Sequence, residues 1–338
     1  MEKDKNVEPK KQYRSKIDLV SSILKTMSVV ASEDPDLLDL KMIDAVLAEM
    51  SEAFRTFRPY RDRKKVTMFG SARTDENEPL YRLAKTFASI MSENGWMVIT
   101  GAGPGIMSAG IEGAGAENAL GVNIRLPFEQ QPNVFLAHDP KLVQMKYFFT
   151  RKLMLIKESD AYVILPGGFG TQDEGFELLT LVQTGKALPA PIILLDVGGD
   201  DYWDSWFEFV KRVIESRSYT SPDDTKLFIK TDSPSEAVKY ILKFYSNYHS
   251  IRWVGSNLII RLKETPSASD LKKLSNEFSD ILIDGRIEMV EPTKFEILDK
   301  DVLDLKRLKI RFTKHNYGRL TELIWRLNGV DSLFDSSD

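Results

Sequence analysis

The sequence predicts an α/β protein: a doubly wound parallel sheet, with an N-terminal helical extension before it and a small C-terminal α+β domain after it. Three observations carry this. Between residues 66 and 196, short apolar runs alternate with helical patterns, the signature of a parallel sheet covered on both faces. Several of these runs end in turns rich in glycine or serine. Beyond residue 250 the pattern changes to short alternating strands among two amphipathic helices.

The elements follow in order. The chain has 338 residues, length for about two domains. Residues 1–16 hold six Lys or Arg against three acids and read as a disordered tail. A basic arm for nucleic acid is the alternative. Residues 17–63 form the helical extension. Ile17, Val20, Leu24 and Met27 share one helix face; Leu40, Ile43, Leu47, Met50 and Phe54 share another. Asp34-Pro35 is the expected start of the second helix, an N-cap acid ahead of a first-turn proline. The extension is expected to pack on the central domain or across a subunit interface.

Residues 64–246 form the central, Rossmann-like domain. Strands are expected at Val66–Phe69, Trp96–Ile99, Gly121–Ile124, Ala161–Leu165 and Pro191–Asp196, with helices at about 80–94, 105–118, 142–158 and 171–185. A helix near Trp203–Glu215, a strand over Lys226–Lys230 and a helix over Ser235–Tyr245 close it. In such sheets ligands bind at the carboxyl ends of strands, near the switch in strand order. Residues 250–330 are expected to form a βαββα unit similar to ferredoxin-like or ACT-type modules. Lys306, Arg307, Lys309, Arg311 and Lys314 cluster there, either as a seat for an anionic effector or as a solvated strand edge.

Composition excludes several classes of function. A net charge of −4, from 46 basic and 50 acidic residues, gives no general pull towards nucleic acid or an anionic membrane. No apolar run nears the ~20 residues that cross a bilayer, and the N-terminus lacks the apolar core of a signal peptide. A cytoplasmic location is the expectation. Zero cysteines exclude disulfides and thiolate chemistry. His138, His249 and His315 are scattered, so neither a Ser-His-Asp triad nor a histidine-rich zinc site is expected, and no metal or cofactor is required.

One stretch concentrates the chemistry, Arg151 to Glu177. An amphipathic run ends near Ser159, a strand-length run AYVIL follows, and then comes the turn Pro166-Gly167-Gly168-Phe169-Gly170-Thr171. A strand, a glycine loop and a helix start aim backbone N–H groups at an anion. Two further loops are expected on the same edge. One is Gly70-Ser71-Ala72-Arg73; the other is Gly101-Ala102-Gly103-Pro104-Gly105-Ile106-Met107. The second has G-x-G-x-G spacing rather than G-x-G-x-x-G, and no acid follows at the next strand end. An NAD-dependent oxidoreductase is therefore disfavoured.

The segment Pro166–Glu174, with Arg151-Lys152 ahead of it, carries the pattern PGGxGTxxE after an Arg-Lys pair. It resembles the LONELY GUY family of cytokinin riboside 5′-monophosphate phosphoribohydrolases and their bacterial relatives that hydrolyse nucleoside 5′-monophosphates. The resemblance covers about Val66 to Tyr245. It implies catalytic roles for Arg151 and Glu174, no cofactor, and a homodimer or higher homo-oligomer. Sequences of this kind have often been labelled lysine decarboxylases, but nothing here supports a pyridoxal-phosphate site. Phe148-Phe149-Thr150 stands where the plant enzymes carry Met-His-x, which leaves base specificity open.

Each residue also has a plainer reading. Thr171 and Glu174 match a capping box, N-cap and N3. Arg151 alone reads as a surface cation, and Lys152 either binds phosphate or pairs locally. Glu177, one turn on, lines the site or is a solvated neighbour. Ser71 and Thr171 offer hydroxyls and Arg73 a charge where a 5′-phosphate would lie. Gly70, Gly101, Gly103, Gly105, Met107, Gly167, Gly168 and Gly170 complete the expected nucleotide-binding set. Two functions stay open: hydrolysis of a nucleoside 5′-monophosphate to free base and ribose 5-phosphate, or non-catalytic binding of a nucleotide or molybdenum cofactor on the same fold. A pure carrier has no need of both Glu174 and Arg151.

Overall fold

The computed structural model describes residues 15–125, 139–331 and 333. The expected tail over residues 1–16 lies almost wholly outside them, as does His138. Two helices lead in. α1 (Lys16–Ser32) starts with a capping box between Ser15 and Asp18 and buries none of its residues. α2 (Leu37–Phe57) is capped by Asp36, whose carboxylate accepts from Leu38 N at 2.8 Å. The expected start at Asp34-Pro35 is therefore two residues early; Asp34 instead adopts φ 49° in the turn. α2 packs on the central unit through Glu49, Ala53 and Phe57.

The central unit runs β1 (Lys65–Phe69), α3 (Pro79–Glu93), β2 (Met97–Thr100), α4 (Ile106–Ala114), β3 (Ala119–Ile124), β4 (Leu142–Met145), α5 (Phe148–Lys157), β5 (Ala161–Ile164), α6 (Phe169–Gln183), β6 (Ile192–Leu195), α7 (Tyr202–Phe209), β7 (Ile229–Thr231) and α8 (Pro234–Phe244). Its seven strands pair in parallel in the order β4-β3-β2-β1-β5-β6-β7. This is the doubly wound, Rossmann-like sheet, with the switch between β1 and β5. Every residue of β1, β2, β5 and β6 is buried, which explains their largely apolar runs. The pleat sorts side chains between two cores. Val66, Met68, Val98 and Val163 face α3, α4 and α8, whereas Phe69, Ile99, Tyr162 and Ile164 face α2, α5, α6 and α7.

Two expectations fail here. Residues 142–145 are a strand, not the first turn of a helix: β4 pairs with β3 from Gly121↔Leu142 to Ile124↔Met145, and α5 starts only at Phe148. The strand expected over Lys226–Lys230 splits into a 3₁₀ segment, Pro222–Leu227, and β7. Ser221 and Asp224 cap that segment reciprocally.

A second, antiparallel sheet follows, in the order β10-β11-β9-β8. It is made by β8 (Tyr248–Val254), β9 (Asn257–Leu262), β10 (Glu288–Met289) and β11 (Lys306–Ile310). α9 (Ala268–Glu277), α10 (Lys294–Asp299) and α11 (Tyr317–Leu327) complete it. The order is thus ββαβαβα, not βαββα: β8 and α10 are the additions. Four of the five basic residues are engaged within the fold, while Lys306 is exposed. Arg307 is buried and bonds Glu296, Lys309 pairs with Glu288, Arg311 with Asp284, and Lys314 lies over the Trp253 ring. Glu296, fully buried, also holds Arg261.

α11 docks on both units. Trp325 packs against Phe244 of α8. Asn316 donates to Asp223 at 2.7 Å, and Lys226 pairs with Glu322. The Tyr317 ring lies against Gly185, just beyond α6, where φ is +68° and a side chain would strike the ring.

Candidate active site

The loops after β1, β2 and β5 meet at the carboxyl edge of the sheet around a cavity of about 760 Å³, within the usual range of ligand sites. The β1 and β5 loops are tied by Ser71 N donating to Pro166 O at 3.1 Å, and the β1 and β2 loops by Ile106 N donating to Ser71 O at 3.0 Å. Gly105 makes the second tie possible. Its φ is +63°, and a Cβ would strike the Ser71 carbonyl.

Arg151 projects from α5 and Glu174 from α6. Arg151 Nη1 lies 2.7 Å from Glu174 Oε1, and Arg151 Nε donates to Val122 O at 2.9 Å. The guanidinium fits because residue 101 is glycine; a Cβ there would overlap it. Burial pushes the Glu174 carboxyl above the ordinary glutamate value of 4.5, and the adjacent Arg151 charge only partly opposes this. A buried acid poised this way beside a fixed cation is suited to proton transfer and charge stabilisation.

The glycine turn leaves donors open. Pro166 O accepts from Ser71 N, Gly167 O from the Tyr202 hydroxyl at 2.6 Å, and Gly168 O from Gln172 N at 3.1 Å. The N–H groups of Gly167, Gly168, Phe169 and Gly170 have no acceptor among the described residues, and α6 begins here, at Phe169, with Gly168 as N-cap. The capping-box expectation is therefore corrected. Thr171 is buried inside the first turn, and Glu174 turns to Arg151 rather than to the helix start. Ser71 Oγ accepts from Arg73 N at 3.1 Å, which rigidifies the first loop. Arg73 itself is exposed at the cavity rim.

Of the residues expected at the site, Gly70, Ser71, Arg73, Gly101, Gly103, Met107, Arg151, Gly167, Gly168, Gly170, Thr171 and Glu174 line the cavity. Gly105, Lys152 and Glu177 do not. Lys152 lies 2.7 Å from both Asp173 and Glu177. Burial works to lower its pKa, but these two carboxylates outweigh it and the net shift is upward. Glu177 is thus a partner of Lys152. Sequence reasoning missed Asn123, Phe148 and Phe169. Asn123 Nδ2 donates to Ala102 O at 3.1 Å, and Phe148 and Phe169 flank the opening, Phe169 being 97% exposed. Phe148 was legible as the departure ahead of the Arg-Lys pair; Asn123 carried no signal.

Comparison with known proteins bears on this geometry. A family described as "Possible lysine decarboxylase" matches residues 105–241. Cytokinin riboside 5′-monophosphate phosphoribohydrolase LOG1 of Arabidopsis thaliana is 32% identical over 101 residues, 30% of this chain and 46% of that protein. The central segment is similar to the LONELY GUY family. The chain spans somewhat under half the length of LOG1, and LOG3 of the same plant is similar at 33% identity over 28% of this chain and 42% of its own. Among solved structures, TM1055 is 22% identical with a TM-score of 0.39, covering 53% of this chain and 99% of its own. No lysine lines the described cavity, so a Schiff-base lysine of the kind pyridoxal-phosphate enzymes use has no counterpart there. No described helix is long and apolar enough to cross a membrane.

Proposed function

We propose that this chain hydrolyses the N-glycosidic bond of a nucleoside 5′-monophosphate, releasing free base and ribose 5-phosphate. The observation that carries the reading is the buried Arg151–Glu174 pair beside the open N–H groups of the glycine turn. The 5′-phosphate sits on the turn and the start of α6, where aligned amides favour an anion. Remote binding energy there holds C1′ over Glu174. As the C1′–N bond breaks, its electron pair leaves with the base and positive charge develops on the sugar. Glu174 stabilises that charge, accepts a proton from the attacking water and delivers one to the departing base. Arg151 fixes the carboxylate and steadies charge on the leaving group.

Gly70, Ser71, Arg73, Gly101, Gly103 and Met107 complete the nucleotide seat, with Phe148 and Phe169 flanking the base. Both AMP-like purines and cytokinin-type nucleotides fit this reading. The partner is a small nucleotide, and a second copy of the chain covers the apolar face of α1 and α2, where Ile17, Val20, Ile23 and Leu24 are more than half exposed. A panel of nucleoside monophosphates, scored by chromatography for released base, tests the activity; no base from any of them overturns it.

A further inference from the structure

Next to the glycine turn, three side chains form a continuous hydrogen-bonded relay that runs from Gln172, at the cavity wall, to Tyr202 and Trp206 of α7, which lie outside the lining. Trp206 Nε1 donates to Gln172 Oε1 at 2.9 Å, Gln172 Nε2 donates to the Tyr202 hydroxyl at 2.6 Å, and that hydroxyl donates to Gly167 O at 2.6 Å. Every donor and acceptor role is determined. The indole can only donate, so the Gln172 oxygen must face it and the amide NH₂ must face Tyr202. The tyrosine proton is then left for the carbonyl. All three side chains are partly buried, and Trp206 is wedged edge-on between Trp203 and Phe228.

The consequence lies in the peptide plane. Across a trans peptide, C=O and N–H point in opposite directions, and no described peptide is cis. Holding Gly167 O back towards Tyr202 therefore aims the Gly168 N–H the other way. Gly168 is exposed, with nothing within 4 Å of its Cβ position, and it lines the cavity. Glycine resists peptide rotation less than any other residue, so Gly167-Gly168 does not hold this orientation by itself.

We propose that Tyr202, Gln172 and Trp206 are positioning residues that orient the Gly168 N–H as an anion donor, so that α7, which contributes no residue to the cavity lining, sets the affinity for the ligand's phosphate. The inference rests on the reading of the glycine turn as a phosphate seat, but not on hydrolysis. Preorganised donors bind an anion without reorganisation; released from the relay, the peptide samples orientations in which a carbonyl meets the phosphate.

The test uses the full chain with Tyr202→Phe, which removes one oxygen and keeps the ring, and Trp206→Phe, which breaks the far end. Inorganic phosphate and AMP are titrated by calorimetry, and the Gly168 amide is followed by ¹⁵N NMR. In the unaltered protein, phosphate shifts the Gly168 amide. In Tyr202→Phe, affinity for phosphate falls roughly tenfold, the scale of one lost hydrogen bond, and the Gly168 shift shrinks. Trp206→Phe gives a smaller loss in the same direction. If the chain hydrolyses AMP, KM rises in Tyr202→Phe while kcat holds, because the Arg151–Glu174 pair is untouched. Unchanged phosphate affinity in a Tyr202→Phe protein with the unaltered melting temperature overturns the proposal. So does an unaltered protein whose Gly168 amide ignores phosphate. Phosphate binding that obeys the relay without any released base leaves the relay standing and removes hydrolysis.

Discussion

Arg151 Nη1 and Glu174 Oε1 stand 2.7 Å apart, with side-chain exposures of only 9% and 12%. At that burial neither charge is neutralised by water, so each depends on the other. Their removal should therefore have unequal effects. Glu174→Gln keeps a neutral hydrogen-bonding side chain against Arg151. It should fold normally and lower turnover by at least ~10²-fold, the scale of a positioned acid–base group. Arg151→Ala strands the carboxylate and should cost about 3 kcal/mol of stability as well as activity. Chemical denaturation and steady-state rates on the two variants check this; an Arg151→Ala protein as stable as the unaltered one would show that the carboxylate does not depend on the guanidinium.

The same burial predicts a pH profile. The Glu174 carboxyl is held above 4.5, and the reaction needs it ionised. The rate should therefore drop on acidification through a pKa above that of an ordinary glutamate, with the acid limb missing from the residual activity of Glu174→Gln. A kcat profile between pH 4 and 8 measures it. A limb at or below 4.5 would mean that the pair is solvated in the working enzyme.

If the open amides of the glycine turn bind the 5′-phosphate, a nucleoside lacking it loses several charge-assisted hydrogen bonds. Adenosine should then show a kcat/KM at least ~10²-fold below that of AMP. Comparable values would assign the turn another role.

Asp196, at the carboxyl end of β6, is 6% exposed, and its Oδ2 has no hydrogen-bond partner among the described residues. Burial raises its pKa from 3.8 to about 6, although Val197 N donates to the other oxygen. Between those values the folded protein keeps a proton that the unfolded chain has released. Stability therefore falls as pH rises through that window and stays reduced above it. Asp196→Asn should raise stability at pH 7.5 by about 1–2 kcal/mol and flatten the dependence between pH 4 and 6. Urea titrations at pH 4 and 7.5 test it; the same difference between the two proteins at both values would refute the assignment.

The sheet was readable because its central strands are buried on both faces and so appear as plain apolar runs bounded by glycine. β4 was not, because its four residues run directly into the apolar start of α5, and periodicity cannot divide LVQMKYFF. The second sheet was half-legible: β9 is mostly apolar and β11 alternates basic residues with Leu308 and Ile310, whereas β8 mixes aromatic, polar and basic residues on a partly open face. At the site, the glycine turn and the Arg-Lys pair were visible as local motifs. What stayed hidden depends on long-range pairing. Thr171-Gln172-Asp173-Glu174 spells a cap, and only the fold shows Glu174 turning to Arg151. Gln172 meets Tyr202 at a separation of 30 positions, a pairing no local pattern encodes. Of the two readings for Lys152, phosphate binding or local pairing, its two carboxylate neighbours favour the second.

α6 carries Glu174 near one end and is gripped at the other, where Tyr317 covers Gly185 and Gln183 donates to Asp224 at 2.6 Å in the segment that α11 holds. Local opening of a helix requires its end contacts to release. The amides in the last turn of α6 are therefore expected to exchange with solvent more slowly while α11 stays docked on the Pro222–Leu227 segment. A substitution at Trp325 that loosens α11 from α8 is therefore expected to speed exchange at the end of the helix that also bears Glu174.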